Sequence, residues 1–121
     1  MPIKNILVVD DSPTERFFTV DLLTKAGYQV ITAENGEDGI AKARAHKPDL
    51  ILMDVVMPGL NGYQATRTLT RDDETRNIPV FVCTSKNQET DRIWGLRQGA
   101  ADYIVKPING EELLKKIASL T

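Results

Sequence analysis

Five residues stand at the ends of short, mainly apolar runs and share one kind of chemistry: Asp10 and Asp11 after Ile6 to Val9, Asp54 after Leu50 to Met53, Thr84 after Val80 to Cys83, and Lys106 after Ala101 to Val105. If the first and third runs lie side by side, three carboxylates meet. Like charges so close repel each other and raise one another's pKa unless a counter-charge is supplied, so the cluster implies a bound cation. Oxygen-only ligands favour Mg2+, with Mn2+ as a substitute, a hard ion that keeps several waters and bridges carboxylates to phosphate. Ca2+ fits less well, because no EF-hand loop pattern is present. Lys106 brings an ammonium and Thr84 a hydroxyl, groups that neutralise and hydrogen-bond phosphoryl oxygens. Singly, each residue has a plainer reading: acids favour a helix N-terminus, a lysine is solvated, a threonine ends a strand. Their recurrence at successive strand ends is what points to phosphate chemistry.

The elements that must position these groups are legible in the same runs. Ile6 to Val9, Leu50 to Met53 and Val80 to Cys83 are continuous apolar segments, the pattern of central strands buried on both faces of a parallel sheet. Tyr28 to Ala33 and Ala101 to Val105 are more mixed and suit the sheet edges. Between them lie segments of helical length opened by capping signals: Ser12-Pro13-Thr14-Glu15, Asn35 with Asp38, Asn61 with Gln64, and Asn109 with Glu112. The first and third of these are read as full capping boxes. Gly27 and Gly99 fall where helices turn back toward strands and a positive φ is usual. Leu113, Leu114, Ile117 and Ala118 form an apolar stripe on a last helix. Strand and helix alternate five times, which predicts an α/β, doubly wound (βα)5 domain with helices on both faces and a site beyond the carboxyl ends of its strands.

Val8-Val9-Asp10-Asp11-Ser12, Met53-Asp54 with Met57-Pro58-Gly59 following, Thr84, and Val105-Lys106-Pro107 together resemble the receiver domain of two-component response regulators, the CheY-like family. The resemblance runs through the whole chain. It implies the flavodoxin-like strand order 2-1-3-4-5 and a set of roles. Asp54 would take phosphate from a histidine kinase, and Asp11, Asp54 and the backbone carbonyl of Val56 would bind Mg2+ directly. Asp10 would hold a metal-bound water, and Lys106 would pair with the phosphoryl group. Thr84 would move toward the phosphate and Tyr103 swing inward behind it. The face made by the fourth helix, fifth strand and fifth helix would then select a protein target. Ser12-Pro13-Thr14-Glu15, Met57-Pro58-Gly59-Leu60-Asn61-Gly62, Gln64-Ala65-Thr66-Arg67 and Gln88-Glu89-Thr90-Asp91-Arg92-Ile93-Trp94-Gly95 look more narrowly like stand-alone twitching-motility regulators of the PilH type. That likeness implies a chemotaxis-like pathway governing type IV pili. Output messenger and phosphate sink both remain open readings, as do the kinase, the target and any dimerisation that follows phosphorylation.

Composition sets the outer bounds. The 121 residues are expected to make a single domain, 1–121, with no output domain, and 41% hydrophobic with 26% charged residues is ordinary for a globular protein. Fifteen basic against seventeen acidic residues give a net charge of −2, which disfavours nucleic-acid binding. Cys83 is the sole cysteine, so no internal disulfide forms, and its apolar neighbours suggest a buried, inert thiol. No signal peptide or membrane-spanning run is evident, so a soluble, monomeric cytoplasmic protein is expected. Val56 and Lys86 should flank the phosphoryl group and tune access of water. Trp94, next to Ile93, is either a partner anchor or folded over the surface, while Gly95 loosens its helix. His46, at a helix end, is given no chemistry.

Three rival functions are weaker. An aspartyl-phosphate phosphohydrolase of the haloacid-dehalogenase class usually carries an acid where this chain has Val56, and needs a cap domain. A nucleotide or flavin module needs a glycine-rich turn where the chain reads Asp10-Asp11-Ser12-Pro13. A degenerate scaffold would not keep every residue of the phosphorylation set. The chain is therefore expected to be a signalling protein and not an enzyme acting on other substrates.

Overall fold

A strand that is apolar at every position needs cover on both faces, and helices on either side of the sheet supply it. The computed structural model describes residues 3–85, 93 and 96–120. Strands β1 (Asn5–Val9), β2 (Gln29–Ala33), β3 (Leu50–Asp54), β4 (Val80–Thr84) and β5 (Asp102–Val105) accompany helices α1 (Pro13–Lys25), α2 (Gly36–His46), α3 (Gly62–Arg71) and a C-terminal α4 (Gly110–Ala118). Ile93, Leu96 and Arg97, between β4 and β5, are also helical. Lys86, Arg92, Trp94 and Gly95 lie outside the described residues.

All neighbouring strands are parallel, in the order β2-β1-β3-β4-β5. Successive residues point to opposite faces. Leu7, Val9, Ile51, Met53, Val80 and Val82 pack with Ala43 of α2 and with Ala65 and Leu69 of α3. Ile6, Val8, Leu50, Leu52, Phe81 and Cys83 pack on the other side with Leu23 of α1 and with Leu113 and Ile117 of α4. Both faces of β1, β3 and β4 are thus dry, which is why their sequences do not alternate. The mixed strands β2 and β5 occupy the edges.

Each capping signal opens its helix: the side chains of Ser12, Asn35, Asn61 and Asn109 accept from the backbone N–H three residues on. Asn61 and Gln64 complete a reciprocal capping box. The box expected at Ser12 and Glu15 forms only by half. Ser12 Oγ accepts from Glu15 N–H at 3.3 Å, but Ser12 N–H donates to Asp10 Oδ1 at 2.9 Å, leaving the Glu15 carboxylate to another partner. Gly27 and Gly99 have φ of 100° and 99°, as their positions require. Helix α2 instead turns back at a non-glycine residue, Lys47, with φ of 45°.

Small shifts separate expectation from structure. Tyr28 precedes β2, because its N–H donates to Leu23 O in the turn after α1. Thr84 closes β4 and does not follow it, pairing with Val105 and accepting at its carbonyl from Lys106 N–H at 2.8 Å. On α4 the buried stripe is Leu113 and Ile117; Leu114 is half-buried and Ala118 is exposed.

Candidate functional site

The carboxyl ends of β1, β3, β4 and β5 deliver the reactive groups to one edge of the sheet. Val9 pairs with Met53, so the residues that follow, Asp10 and Asp54, leave neighbouring strands at the same level. Asp10, Asp11 and Asp54 each present a carboxylate oxygen, and these atoms lie within 4.8 Å of one another. Asp10 and Asp54 are only 5% and 6% exposed, whereas Asp11 is open to solvent.

Lys106 enters this cluster from the end of β5, before a cis bond to Pro107. Its Nζ lies 2.9 Å from Asp54 Oδ1, 3.2 Å from Asp10 Oδ2 and 2.9 Å from Glu15 Oε2. Burial works against the lysine's charge, but the hydrogen bonds to Glu15 and Asp54, with the fields of Asp54 and Asp10, overcome it and raise its pKa. Asp54 moves the same way for a different reason. Burial is the largest influence, reinforced by Asp10 and Asp11 and opposed by Lys106, and it pushes the carboxyl up to about 6. Among the described residues, one ammonium, that of Lys106, contacts this acidic cluster.

The supporting shell fixes these groups in place. Arg16 Nη1 donates to the Asp10 carbonyl at 2.7 Å. The start of α3 docks on the end of β3, with Gly62 N–H donating to Val55 O at 2.9 Å. A Cβ at Gly62 would lie 2.7 Å from Val55 Cα and closer still to the Asp54 carbonyl oxygen, so only glycine admits this approach. Thr84 is buried one position beyond Cys83, the partner of Asp54 in the ladder. Tyr103 already stands inward, packed with the cluster that α2 and α3 cover. Val56 lies two residues past Asp54 with its side chain 63% exposed, where water reaches it. Cys83 is buried, and desolvation pushes its thiol up to about 12, as an inert interior cysteine requires.

Asp10, Asp11, Asp54 and Lys106 thus converge as their positions in the chain predict, while Lys86 lies outside the described residues. Two contributors escaped sequence reasoning. Glu15 was assigned to a capping box and Arg16 to nothing. The available signal was their place in the first turn of a helix that starts directly after the acidic pair.

A doubly wound parallel sheet with an acidic cluster and a lysine at its carboxyl edge defines a class, and the chain belongs to the response regulator receiver domain family, whose model matches residues 6–118. It is 62% identical over 112 residues to Protein PilH of Pseudomonas aeruginosa, an alignment covering 93% of each chain. It is 40% identical over 117 residues to the phosphate regulon transcriptional regulatory protein PhoB of the same organism, covering 97% of this chain and 51% of that one. Among solved structures, the chemotaxis protein CheY4 of Vibrio cholerae superposes with a TM-score of 0.91 at 31% identity, covering 98% of this chain and 99% of that one. The receiver domain of a sensor histidine kinase from Pseudomonas aeruginosa, with a magnesium ion coordinated in its active site cleft, gives a TM-score of 0.89 at 31% identity. That alignment covers 96% of this chain and 95% of its counterpart.

Proposed function

We propose that this response regulator is switched by phosphorylation of Asp54. The observation that carries the reading is the convergence of Asp10, Asp11 and Asp54, with the Lys106 ammonium on Asp10 and Asp54, among the described residues. The donor set suits a hard divalent cation: three carboxylates at an edge where burial first, and then the neighbouring acids, raise the Asp54 pKa in spite of Lys106. Asp11, Asp54 and the Val56 carbonyl would hold Mg2+, with Asp10 on a bound water. Bound there, Mg2+ supplies neutralisation of charge on the phosphoryl oxygens and on the attacking carboxylate.

A carboxylate oxygen of Asp54 attacks the phosphorus of a phosphohistidine on the donor kinase. The new O–P bond forms as the P–N bond breaks, and the imidazole nitrogen keeps the electron pair and takes a proton from water. Lys106 then has an oxygen of the dianionic phosphoryl group to pair with, and the Thr84 hydroxyl donates to another. The added charge of about −2 biases the domain toward its signalling form, with Thr84 drawn to the phosphate, Tyr103 kept in its inward position behind it, and the β5 and α4 face meeting a target protein. The likeness to PilH supports a place in a chemotaxis-like pathway acting on type IV pili and twitching motility.

Intact mass after incubation with acetyl phosphate and Mg2+ tests the reading. One phosphate-sized addition, absent from Asp54→Asn and from a sample with EDTA, and released by hydroxylamine, is the expected result. No addition under conditions that trap the acyl phosphate would overturn it.

A further inference from the structure

Glu15 does not do what its sequence position prescribes. As the third residue of a helix opened by Ser12, it would ordinarily reach back to the Ser12 N–H and close a capping box. That N–H is already taken by Asp10 Oδ1 at 2.9 Å, and the Glu15 carboxylate turns to Lys106 Nζ at 2.9 Å, as close as Asp54 stands. Asp10 thus has two roles here: it satisfies the cap and shares the lysine. Among the described residues Lys106 is held by three carboxylates, and of these Glu15 comes from outside the acidic cluster.

We propose that Glu15 is a positioning residue that restrains phosphorylation by competing with the incoming phosphoryl group for Lys106. The inference rests on Asp54 being the phosphoacceptor. An entering phosphoryl group brings its negative charge to the mouth of a site where the one ammonium among these contacts is already shared. Glu15 adds repulsion there and draws the Lys106 ammonium toward α1. The acceptance step itself is unaltered: with acetyl phosphate an Asp54 oxygen bonds to phosphorus, the phosphorus–oxygen bond to the acyl group breaks, and acetate leaves with the electron pair. What Glu15 changes is the availability of positive charge during that step. Since its carboxylate is half exposed, the effect should be that of a screened ion pair and not of a buried one.

The experiment measures the rate of Asp54 adduct formation with acetyl phosphate and Mg2+ by intact mass, over a range of donor concentrations and at low and high salt. Glu15→Gln, which keeps shape and polarity, should be phosphorylated about two- to fivefold faster below saturation, with the advantage shrinking in high salt. Glu15→Asp separates the roles, because it keeps the negative charge at the helix N-terminus but is one methylene too short for Lys106. If the latch operates, Glu15→Asp is accelerated like Glu15→Gln; if Glu15 acts only through the helix dipole or general repulsion, Glu15→Asp stays at the wild-type rate and the proposal falls. A wild type that is phosphorylated at the same rate as Glu15→Gln overturns the latch alone. Failure of every form to take phosphate overturns the Asp54 reading and the latch with it.

Discussion

Replacing Asp54 by Asn should stabilise the metal-free protein, although it removes the residue on which the proposed function depends. Burial is the largest influence on the Asp54 carboxyl and raises it from 3.8 to about 6, even after the favourable contact with Lys106. A shift of about two units corresponds to about 3 kcal/mol against the ionised form. Asp54 itself is nearly buried, but its neighbour Asp11 opens the mouth of the site to water and salt, so about 1 to 3 kcal/mol is the working range. The sign follows from linkage. The folded protein holds the proton more tightly than the unfolded chain, so the contribution of Asp54 to wild-type stability is full below about pH 4 and is lost as the pH rises through about 6. The amide does not titrate, and in the variant Lys106 keeps Asp10 and Glu15 as partners. Urea unfolding in EDTA should therefore find the two proteins alike near pH 4, with Asp54→Asn ahead by about 1 to 3 kcal/mol at pH 7.5, or about 4 to 12 °C in Tm at about 2.1 cal/mol/K per residue. An advantage independent of pH, or a variant less stable at pH 7.5, would refute the claim that the site stores unfavourable charge.

Three further outcomes follow from the same geometry. Millimolar Mg2+ should raise the wild-type Tm at pH 7.5, and Asp11→Ala, which removes an exposed carboxylate of the proposed metal site at little cost to the fold, should abolish most of that rise in a thermal scan. Gly62→Ala should lower stability by about 2 kcal/mol or more and slow acetyl phosphate labelling, since its Cβ collides with the backbone that carries Asp54; a variant matching wild type in urea unfolding would show that α3 can step aside. Lys106→Arg should still accept phosphate on Asp54 but bind its target more weakly, because the guanidinium cannot repeat the ammonium's contacts; pull-down of the target at wild-type strength by the phosphorylated variant would count against that.

What the sequence disclosed was what neighbouring residues decide among themselves. Ser12, Asn35, Asn61 and Asn109 cap their helices through a bond spanning three residues, so local order is enough to find them. The runs at Ile6, Leu50 and Val80 announce strands dry on both faces, and with the strand order that the receiver resemblance implies, the meeting of Asp10, Asp11, Asp54 and Lys106 follows. What stayed hidden depends on competition among distant groups. Glu15 leaves its cap because Asp10 takes the Ser12 N–H and a lysine 91 positions away meets its charge. Phe17 and Phe18 defeat a reading by hydrophobicity, for both are exposed on α1 while Thr19 and Leu23 are buried. Lys47 adopts a left-handed turn with no glycine to advertise it.

The interior position of Cys83 makes the protein a convenient host for labels. Its thiol is buried, and desolvation keeps it almost wholly protonated at neutral pH. A cysteine introduced on the surface would therefore react with a maleimide far ahead of it, so that a fluorophore or spin probe reports from one chosen place. The slower modification of Cys83 would time the moments when the sheet opens, giving a built-in clock of native-state breathing beside whatever the surface probe records.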